Sequence, residues 1–193
     1  MQIVHPFLMA SNLSNGSENT LPYKCEEIIG NATVCKPPVW PQIKSTSIFL
    51  AGSIEMGKAV DWQSAVTNAL SYLPITVLNP RRDDWDNSWE QDISNAQFKE
   101  QVDWEMDHLS KADVIALFLQ PGTMSPISLM ELGMHAADGK MVVCCPPGYW
   151  RRGNVQVVCQ RYGIPLVETQ EELIEHAMKM LEEKIADKTK GTE

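Results

Sequence analysis

The chain has 193 residues, of which 44% are hydrophobic and 21% are charged. This composition is typical of one globular domain with an apolar core, and it excludes a fibrous or wholly disordered protein. The 25 acidic and 16 basic residues give a net charge of −9, which repels phosphate backbones, so we expect no nucleic-acid partner. No apolar run approaches the roughly 20 residues of a membrane helix, and the segment MQIVHPFLMA lacks the features of a secretion signal. We therefore expect a soluble, cytoplasmic protein with no membrane partner.

Residues 1–42 differ in composition from the rest of the chain, because they are polar, rich in Asn and Ser, and closed by a proline cluster. We interpret them as an N-terminal extension with a linker, and residues 43–193 as the single folded domain. Cys25 and Cys35 flank a Gly-Asn turn and could pair under oxidising conditions, but a cytosolic setting favours reduced thiols.

From residue 47 onward, short apolar runs bounded by Gly, Pro or Asn alternate with longer segments of helical periodicity. In chain order, the predicted strand and helix pairs are 48–52 with 59–73, 75–79 with 94–111, 114–119 with 126–138, 141–145 with 154–162, and 164–167 with 170–187. Strands that are apolar along their whole length are typical of a parallel sheet buried on both faces. The alternation predicts an α/β fold with a five-stranded, doubly wound parallel sheet in flavodoxin-like or Rossmann-like order.

Ligands of open α/β sheets bind beyond the carboxyl ends of the strands, so the loops after the predicted strands are candidates for a site. The first loop begins with Gly52, Ser53 and Ile54, but it has neither the spacing of a triphosphate-binding loop nor that of a dinucleotide-binding loop. Gly52 allows a close backbone approach, and the Ser53 hydroxyl can bond a small polar ligand.

The loop after the third predicted strand leads into a helix with a candidate catalytic carboxylate. Pro126 suits the first helical position with Ser125 as its cap, and Glu131 falls in the second turn, three residues after Ser128. A Glu in a short helix is usually solvated, but apolar neighbours would desolvate Glu131 and the ligand that it faces. We expect the core-directed stripe of this helix to contain Ile127, Met130 and Met134.

The preceding helix supplies further carboxylates, Asp103, Glu105 and Asp107, and Asp113 follows at the mouth of the third predicted strand. Two carboxylates facing one pocket suffice for glycosyl transfer, because one attacks or stabilises the anomeric carbon and the other protonates the leaving group. The alternative is a solvated helix face with Asp113 as a structural cap. Spacing alone leaves both interpretations open.

Three segments, IFLAGSI at 48–54, EMDHLSKADVIAL at 105–117 and SPISLMELGMHAADGK at 125–140, resemble the nucleoside 2-deoxyribosyltransferase-like superfamily, which includes nucleoside 5′-monophosphate N-glycosidases. The resemblance covers about residues 47–167 and makes the folded domain a catalytic one. It implies that Glu131, in the MELG motif, attacks C1′ of a 2′-deoxynucleoside and forms a covalent ester that a second base or water opens. It also implies small-molecule partners, a nucleoside or nucleotide and a free nucleobase, and no metal or organic cofactor.

The same resemblance implies roles for other residues. Glu105 stands where the family has an acidic partner that is usually Asp. Ser125 matches the Ser of relatives that hydrolyse nucleoside 5′-monophosphates, and Ser53 with Ile54 matches them too. Phe49 stands where many members have a Tyr that bonds the catalytic Glu, so we expect the missing donor to raise the pKa of the nucleophile.

Two further loops complete the predicted substrate site. Asn79, Arg82 and Trp85 follow the second predicted strand. Trp85, or Trp89 beyond it, could stack on a nucleobase, and an Arg could bind a phosphate or neutralise the neighbouring aspartates. Asn154 lies roughly where relatives recognise the 5′ group of the sugar, often across a subunit interface. We therefore expect a homo-oligomer, a dimer or higher.

These features support three functional hypotheses. The first is a nucleoside 2-deoxyribosyltransferase, which the acidic pocket favours because it suits a neutral nucleoside. The second is a (deoxy)nucleoside 5′-monophosphate N-glycosidase, which Ser125 and Ser53 favour and Glu55 disfavours, since its charge would lie where a phosphate binds. The third is a non-catalytic nucleotide-binding module, favoured by Phe49 and Glu105.

Overall fold

A computed structural model describes residues 27–55, 59–82, 84–86 and 88–190. The strands in these ranges are β1 (Glu27–Ile29), β2 (Ala32–Cys35), β3 (Thr46–Gly52), β4 (Ile75–Leu78), β5 (Val114–Phe118), β6 (Met141–Cys144) and β7 (Leu166–Val167). The helices are α1 (Trp62–Leu70), α2 (Ala96–Lys111), α3 (Pro126–His135), α4 (Arg152–Tyr162) and α5 (Gln170–Lys190).

The strands β3 to β7 form the parallel sheet that the sequence predicts. Their order is β4-β3-β5-β6-β7, and every neighbouring pair is parallel. The chain starts at β3, adds β4 on one side, and then places β5, β6 and β7 on the other. This reversal of winding is the flavodoxin-like order. Sheets of this kind bind ligands beyond the carboxyl ends of the strands at the reversal, here β3 and β5, and we call this edge the binding edge. The predicted α/β class is confirmed.

The predicted number of strands is wrong, because the sheet has seven strands within the described residues and not five. β1 and β2 form a hairpin, and β2 pairs in parallel with β4, so the described part of the predicted extension joins the sheet. The carbonyl of Ser71 holds the turn by accepting a 2.7 Å hydrogen bond from N of Asn31. Strands of three and four residues in a polar segment carry too little periodicity to be identified from sequence. Cys25 lies outside the described residues, so the expectation that Cys25 and Cys35 are reduced thiols stays a prediction.

Two apolar layers cover the sheet and fix its helices. On one face, α1 and α5 bury Trp62 and Leu173. On the other face, α2, α3 and α4 bury Trp104, Leu132 and Val155. Truncating one such side chain to Ala costs about 2–5 kcal/mol, so this packing holds α2 and α3 firmly above the sheet. No helix in the described ranges is both long enough and apolar enough to cross a bilayer.

Gly52 ends β3 at the binding edge. Its φ is 139°, and a Cβ at this position would lie 2.2 Å from the carbonyl oxygen of Phe118 on β5. The predicted close backbone approach is therefore made to the neighbouring strand. N of Ser53 donates a 2.9 Å hydrogen bond to the same oxygen, which places the Ser53 side chain between the two strand ends.

Candidate active site

Glu131 lies in the second turn of α3 and has 7% of its surface exposed. The helix begins at Pro126 as predicted, but Ser125 is left-handed (φ 44°) and its hydroxyl does not cap the helix. Burial, and after it the charge of Glu105, raises the pKa of the Glu131 carboxyl to about 8. The direction of this shift agrees with the expectation from Phe49, a fully buried residue that lacks a hydroxyl. The main cause of the raised pKa is the burial of Glu131 itself.

Glu105 reaches the same region from α2. The residue as a whole is half-buried, but its carboxyl end is desolvated, and this burial raises its pKa to about 7 against the lowering effect of a hydrogen bond from Gln101. That bond runs from Nε2 of Gln101 to Oε1 of Glu105 and measures 2.8 Å. Because the charge of Glu105 raises the pKa of Glu131, the two carboxyls lie close enough to interact. The structure thus brings together the two predicted catalytic glutamates.

Asp103 and Asp107, the other two candidate carboxylates of α2, belong to its solvated face. Asp103 pairs with Lys99, and Asp107 pairs with Lys111 at 2.8 Å. Exposed pairs of this kind contribute at most about 1 kcal/mol. Glu105 differs from these two residues because its partner four residues away on the helix is the amide of Gln101 and not a lysine.

Ser53 and Ser125, both predicted as substrate-binding, meet at the ends of β3 and β5. Oγ of Ser53 lies 2.8 Å from Oγ1 of Thr123 and 2.7 Å from Oγ of Ser125, and the latter two oxygens lie 2.9 Å apart. The N–H of Gln120 donates to Ser53 Oγ, and its carbonyl accepts from Thr123 Oγ1. These buried hydroxyls therefore satisfy one another and brace the loop before α3. Ile54 follows, half-buried.

Arg82 is held by acidic neighbours and an aromatic ring. It donates hydrogen bonds of 2.6 and 3.2 Å to the two carboxylate oxygens of Asp84, and its guanidinium lies 5.0 Å from the centre of the Trp89 ring. Of the two predicted alternatives, the structure shows neutralisation of an aspartate. The ring centres of Trp85 and Trp89 lie 5.1 Å apart, so these two side chains pack on each other.

Asn79 and Ser128 occupy buried positions. Oδ1 of Asn79 accepts a 3.0 Å hydrogen bond from N of Arg81, and its own N–H donates to the carbonyl of Cys35 at 2.9 Å. Asn79 therefore shapes the turn after β4. Ser128 lies three residues before Glu131, which places the two side chains on neighbouring positions of one face of α3.

Asp113, predicted to bind substrate, lies away from this site. It precedes Val114 at the amino end of β5, so the length of that strand separates it by about 16 Å from the binding edge. Its Oδ2 accepts hydrogen bonds from N and Oγ of Ser47 at 2.8 and 3.1 Å and from Nζ of Lys188 at 2.8 Å. Burial raises the pKa of Asp113, but these hydrogen bonds lower it overall. Asp113 is thus a structural residue that joins α5 to the sheet.

The predicted core stripe of α3 is also wrong. Ile127, Met130 and Met134 are 55%, 52% and 48% exposed, whereas Leu132 and Ala136 face the core. Apolar residues occur on most sides of this short helix, so periodicity alone could not determine which side is buried.

Asn154 lies exposed in the first turn of α4. It borders an apolar groove of about 310 Å³ between α3 and α4, which Leu129 and Gly133 line from the α3 side. Residues two apart on a helix point in nearly opposite directions, so this groove and Glu131 lie on different sides of α3. Within one chain, the structure does not bring Asn154 to Glu131.

Two site residues were missed by the sequence interpretation. Gln101 bonds Glu105 and also donates to the carbonyl of Pro80 at 3.0 Å. Its spacing of four residues from Glu105 is the signal that could have identified it. Thr123, which completes the hydroxyl cluster, stands two residues before Ser125 in the same loop.

A family model described as "Nucleoside 2-deoxyribosyltransferase like" matches residues 45–149. The chain belongs to this nucleoside 2-deoxyribosyltransferase-like family. The family match includes both buried glutamates and excludes α4 with Asn154. A crystal structure of a conserved protein from Enterococcus faecalis V583 is similar, with a TM-score of 0.52, 15% identity, and coverage of 71% of this chain and 99% of that one. At this identity, the likeness supports the fold alone. No curated protein matches the chain.

Proposed function

We propose that this protein is a nucleoside 2-deoxyribosyltransferase that exchanges the base of a 2′-deoxynucleoside through a covalent ester on Glu131. The observation that carries the proposal is the burial of two interacting carboxyls, those of Glu131 and Glu105, above the binding edge of the sheet. Family membership supports a nucleoside or nucleotide as the small-molecule substrate.

In the first step, a carboxylate oxygen of Glu131 forms a bond to C1′ while the bond from C1′ to the base nitrogen breaks. The electron pair goes to that nitrogen, and protonated Glu105 gives its proton to the departing base, which leaves as a neutral molecule. In the second step, a nitrogen of the acceptor base attacks C1′, the ester bond to Glu131 breaks, and the acceptor returns a proton to Glu105. Both carboxyls end as they began.

This sequence of steps needs one ionised and one protonated carboxyl, and a coupled pair with raised pKa values supplies that state near neutral pH. Burial raises the pKa of both carboxyls, and the two titrate as a coupled pair. We propose that a bound nucleoside places the shared proton on Glu105 and leaves Glu131 ionised. Positive charge developing at C1′ stabilises the anion of Glu131, and the basic nitrogen of the leaving group favours a proton on Glu105.

We also propose that the chain acts as a homo-oligomer. Ile127 and Met134 lie four and three residues from Glu131 on α3, so these exposed apolar side chains flank the nucleophile. Exposed apolar side chains that form a continuous patch mark interaction surfaces. A second chain over this stripe would exclude water from Glu131, which transfer requires if it is to outrun hydrolysis.

Hydrolysis of a (deoxy)nucleoside 5′-monophosphate is the alternative activity. The meeting of Ser53 and Ser125 favours it, since both residues match the hydrolases of the superfamily. Their hydroxyls are engaged with each other and with Thr123, so a phosphate would have to displace bonds that are already formed. The transfer reaction requires no such displacement.

The proposal is tested by base exchange. Wild-type protein with deoxyinosine and adenine should give deoxyadenosine and hypoxanthine, and incubation with deoxyinosine alone should leave a deoxyribosyl adduct on Glu131 in peptide mass spectrometry. Glu131→Gln should abolish both signals, whereas the exposed control Glu175→Gln on α5 should keep both.

Other outcomes assign other functions. Base release without exchange assigns the hydrolase, and nucleoside binding without either reaction assigns a binding module. Undiminished exchange by a folded Glu131→Gln variant would rule out Glu131 as the nucleophile.

A further inference from the structure

The loop before α3 contains a pair of backbone amides that bind a carboxylate of the chain itself. Oε1 of Glu55 accepts hydrogen bonds of 2.6 Å from N of Met124 and 3.0 Å from N of Ser125. These two residues immediately precede Pro126, the first residue of α3. The amino end of a helix attracts anions because its free N–H groups and its dipole both present positive charge. The Glu55 carboxylate therefore occupies an anion site.

The amide pair is held rigidly from the other side. The carbonyl of Met124 accepts a 2.9 Å hydrogen bond from the hydroxyl of Tyr149 and a 3.0 Å hydrogen bond from Nε1 of Trp150. The backbone of Glu55 and that of Ser125 are both left-handed, with φ of 45° and 44°. Residues other than glycine keep this conformation only where surrounding contacts enforce it. Glu55 is thus fixed on the amides by the fold.

The anion site lies at a suitable distance from the nucleophile. Glu131 follows Ser125 by six residues, which is about 9 Å along a helix axis. The start of α3 is therefore within the span of a nucleoside 5′-monophosphate whose C1′ contacts Glu131. In the described part of this site, the N–H groups of Met124 and Ser125 are the only two loop amides that bind an anion. The Glu55 carboxylate accepts a hydrogen bond from each of them.

We propose that Glu55 is a specificity-determining residue: its carboxylate fills the anion site at the start of α3 and excludes substrates with a 5′-phosphate. The inference rests on the proposed function for the nature of the substrate. A phosphate and the Glu55 carboxylate would compete for the same amides and repel each other at short range. The natural substrate is therefore a nucleoside with a free 5′-hydroxyl.

Two variants of Glu55 separate its charge from its shape. Glu55→Gln keeps the acceptor oxygen and removes the charge, whereas Glu55→Gly frees both amides and suits the left-handed backbone. We expect Glu55→Gly to raise the ratio of kcat/KM for a 2′-deoxynucleoside 5′-monophosphate over the nucleoside at least about tenfold, with a smaller rise for Glu55→Gln. The control Glu171→Gln removes the same charge from the first turn of α5 and should leave the ratio unchanged.

A binding measurement distinguishes failure of this inference from failure of the proposed function. In calorimetry with inorganic phosphate, Glu55→Gly should bind the ion and the wild type should not, whether or not any nucleoside is turned over. The inference is overturned if wild-type protein binds phosphate at this site or uses the monophosphate as well as the nucleoside. It is equally overturned if folded Glu55→Gly neither binds phosphate nor changes the substrate ratio. Should Glu55→Gly fail to fold, the ratio measured with Glu55→Gln decides.

Discussion

Gln101 donates a hydrogen bond of 2.8 Å from its side-chain nitrogen to Oε1 of Glu105, one helical turn further along α2. The same nitrogen donates to the carbonyl of Pro80 at 3.0 Å. A carbonyl oxygen only accepts, so this contact fixes the orientation of the amide, and both of its N–H groups are used. Oε1 of Glu105 is therefore an acceptor, so a proton on this carboxyl would lie on Oε2. We propose that Gln101 is a positioning residue that orients this proton.

Replacing Gln101 with Leu tests that positioning role. The hydrogen bond from Gln101 lowers the pKa of Glu105, so Gln101→Leu should raise it and move the alkaline limb of the kcat/KM profile to higher pH. We expect kcat for base exchange to fall about tenfold, in line with the loss of one hydrogen bond to a charged group, with a smaller change in KM. The exposed control Gln97→Leu on the same helix should show neither effect. A fall in kcat with an unshifted pH profile would reduce Gln101 to a packing residue.

Burial of Glu131 makes the stability of the fold depend on pH. Its carboxyl ionises near 4.5 in the unfolded chain and near 8 in the folded chain, so the folded state retains a proton that the unfolded state loses. The resulting stability is complete below about pH 4.5 and is lost as the pH rises through 8. The free energy of unfolding in urea should fall between pH 5.5 and 8.5. In Glu131→Gln this fall should be smaller by on the order of 1–3 kcal/mol. An equal fall in both proteins would show that Glu131 ionises normally.

Gly52 should tolerate no side chain. A Cβ there would lie 2.2 Å from the carbonyl oxygen of Phe118, a backbone atom that cannot move without breaking the sheet. We expect Gly52→Ala to reduce the free energy of unfolding by about 3 kcal/mol or more. Gly133→Ala is the matched control, because its Cβ would meet nothing within 4 Å in helix α3. It should be neutral or stabilising by about 0.5–1 kcal/mol.

The exposed stripe of α3 predicts the state of assembly. Met130→Glu places a charge at the centre of that stripe, and we expect it to convert an oligomer to a monomer in sedimentation velocity at micromolar concentration. Loss of the covering chain should also raise the ratio of hydrolysis to base exchange, since water would then reach Glu131. Ile93→Glu changes a more exposed apolar residue outside the stripe and should leave the assembly intact. A wild-type protein that sediments as a monomer would contradict the proposal.

Local pattern was enough for much of the fold, and the resemblance to a known family selected the two candidate glutamates. Apolar runs between Gly, Pro and Asn identified the five parallel strands, because strands buried on both faces must be apolar throughout. Pro126 located the start of α3 and with it the position of Glu131 near the binding edge. These features depend on residues within a few positions of one another, so they can be read from a linear chain.

Other features depended on which distant segments meet. The pairing of β2 with β4 and the contact of Gln101 with Pro80 join residues far apart in the chain, which no local period records. Whether a polar group binds a ligand or a neighbour was also decided by the tertiary structure. Ser53 is bonded within its own loop cluster, Asp113 holds α5 at the opposite edge, and Glu55 sits on the amides before α3.

The expectation of no nucleic-acid partner rests on the composition of the whole sequence, and the net charge of −9 follows from counting. Counting cannot separate a carboxylate in water from one that is buried beside another. Burial raises the pKa of both glutamates, and the charge of Glu105 raises that of Glu131 further. These effects arise only when α2 and α3 pack on the same face of the sheet. The sequence alone determined which residues carry charge, and the fold determined which of those charges are desolvated, because desolvation depends on neighbours brought together in three dimensions.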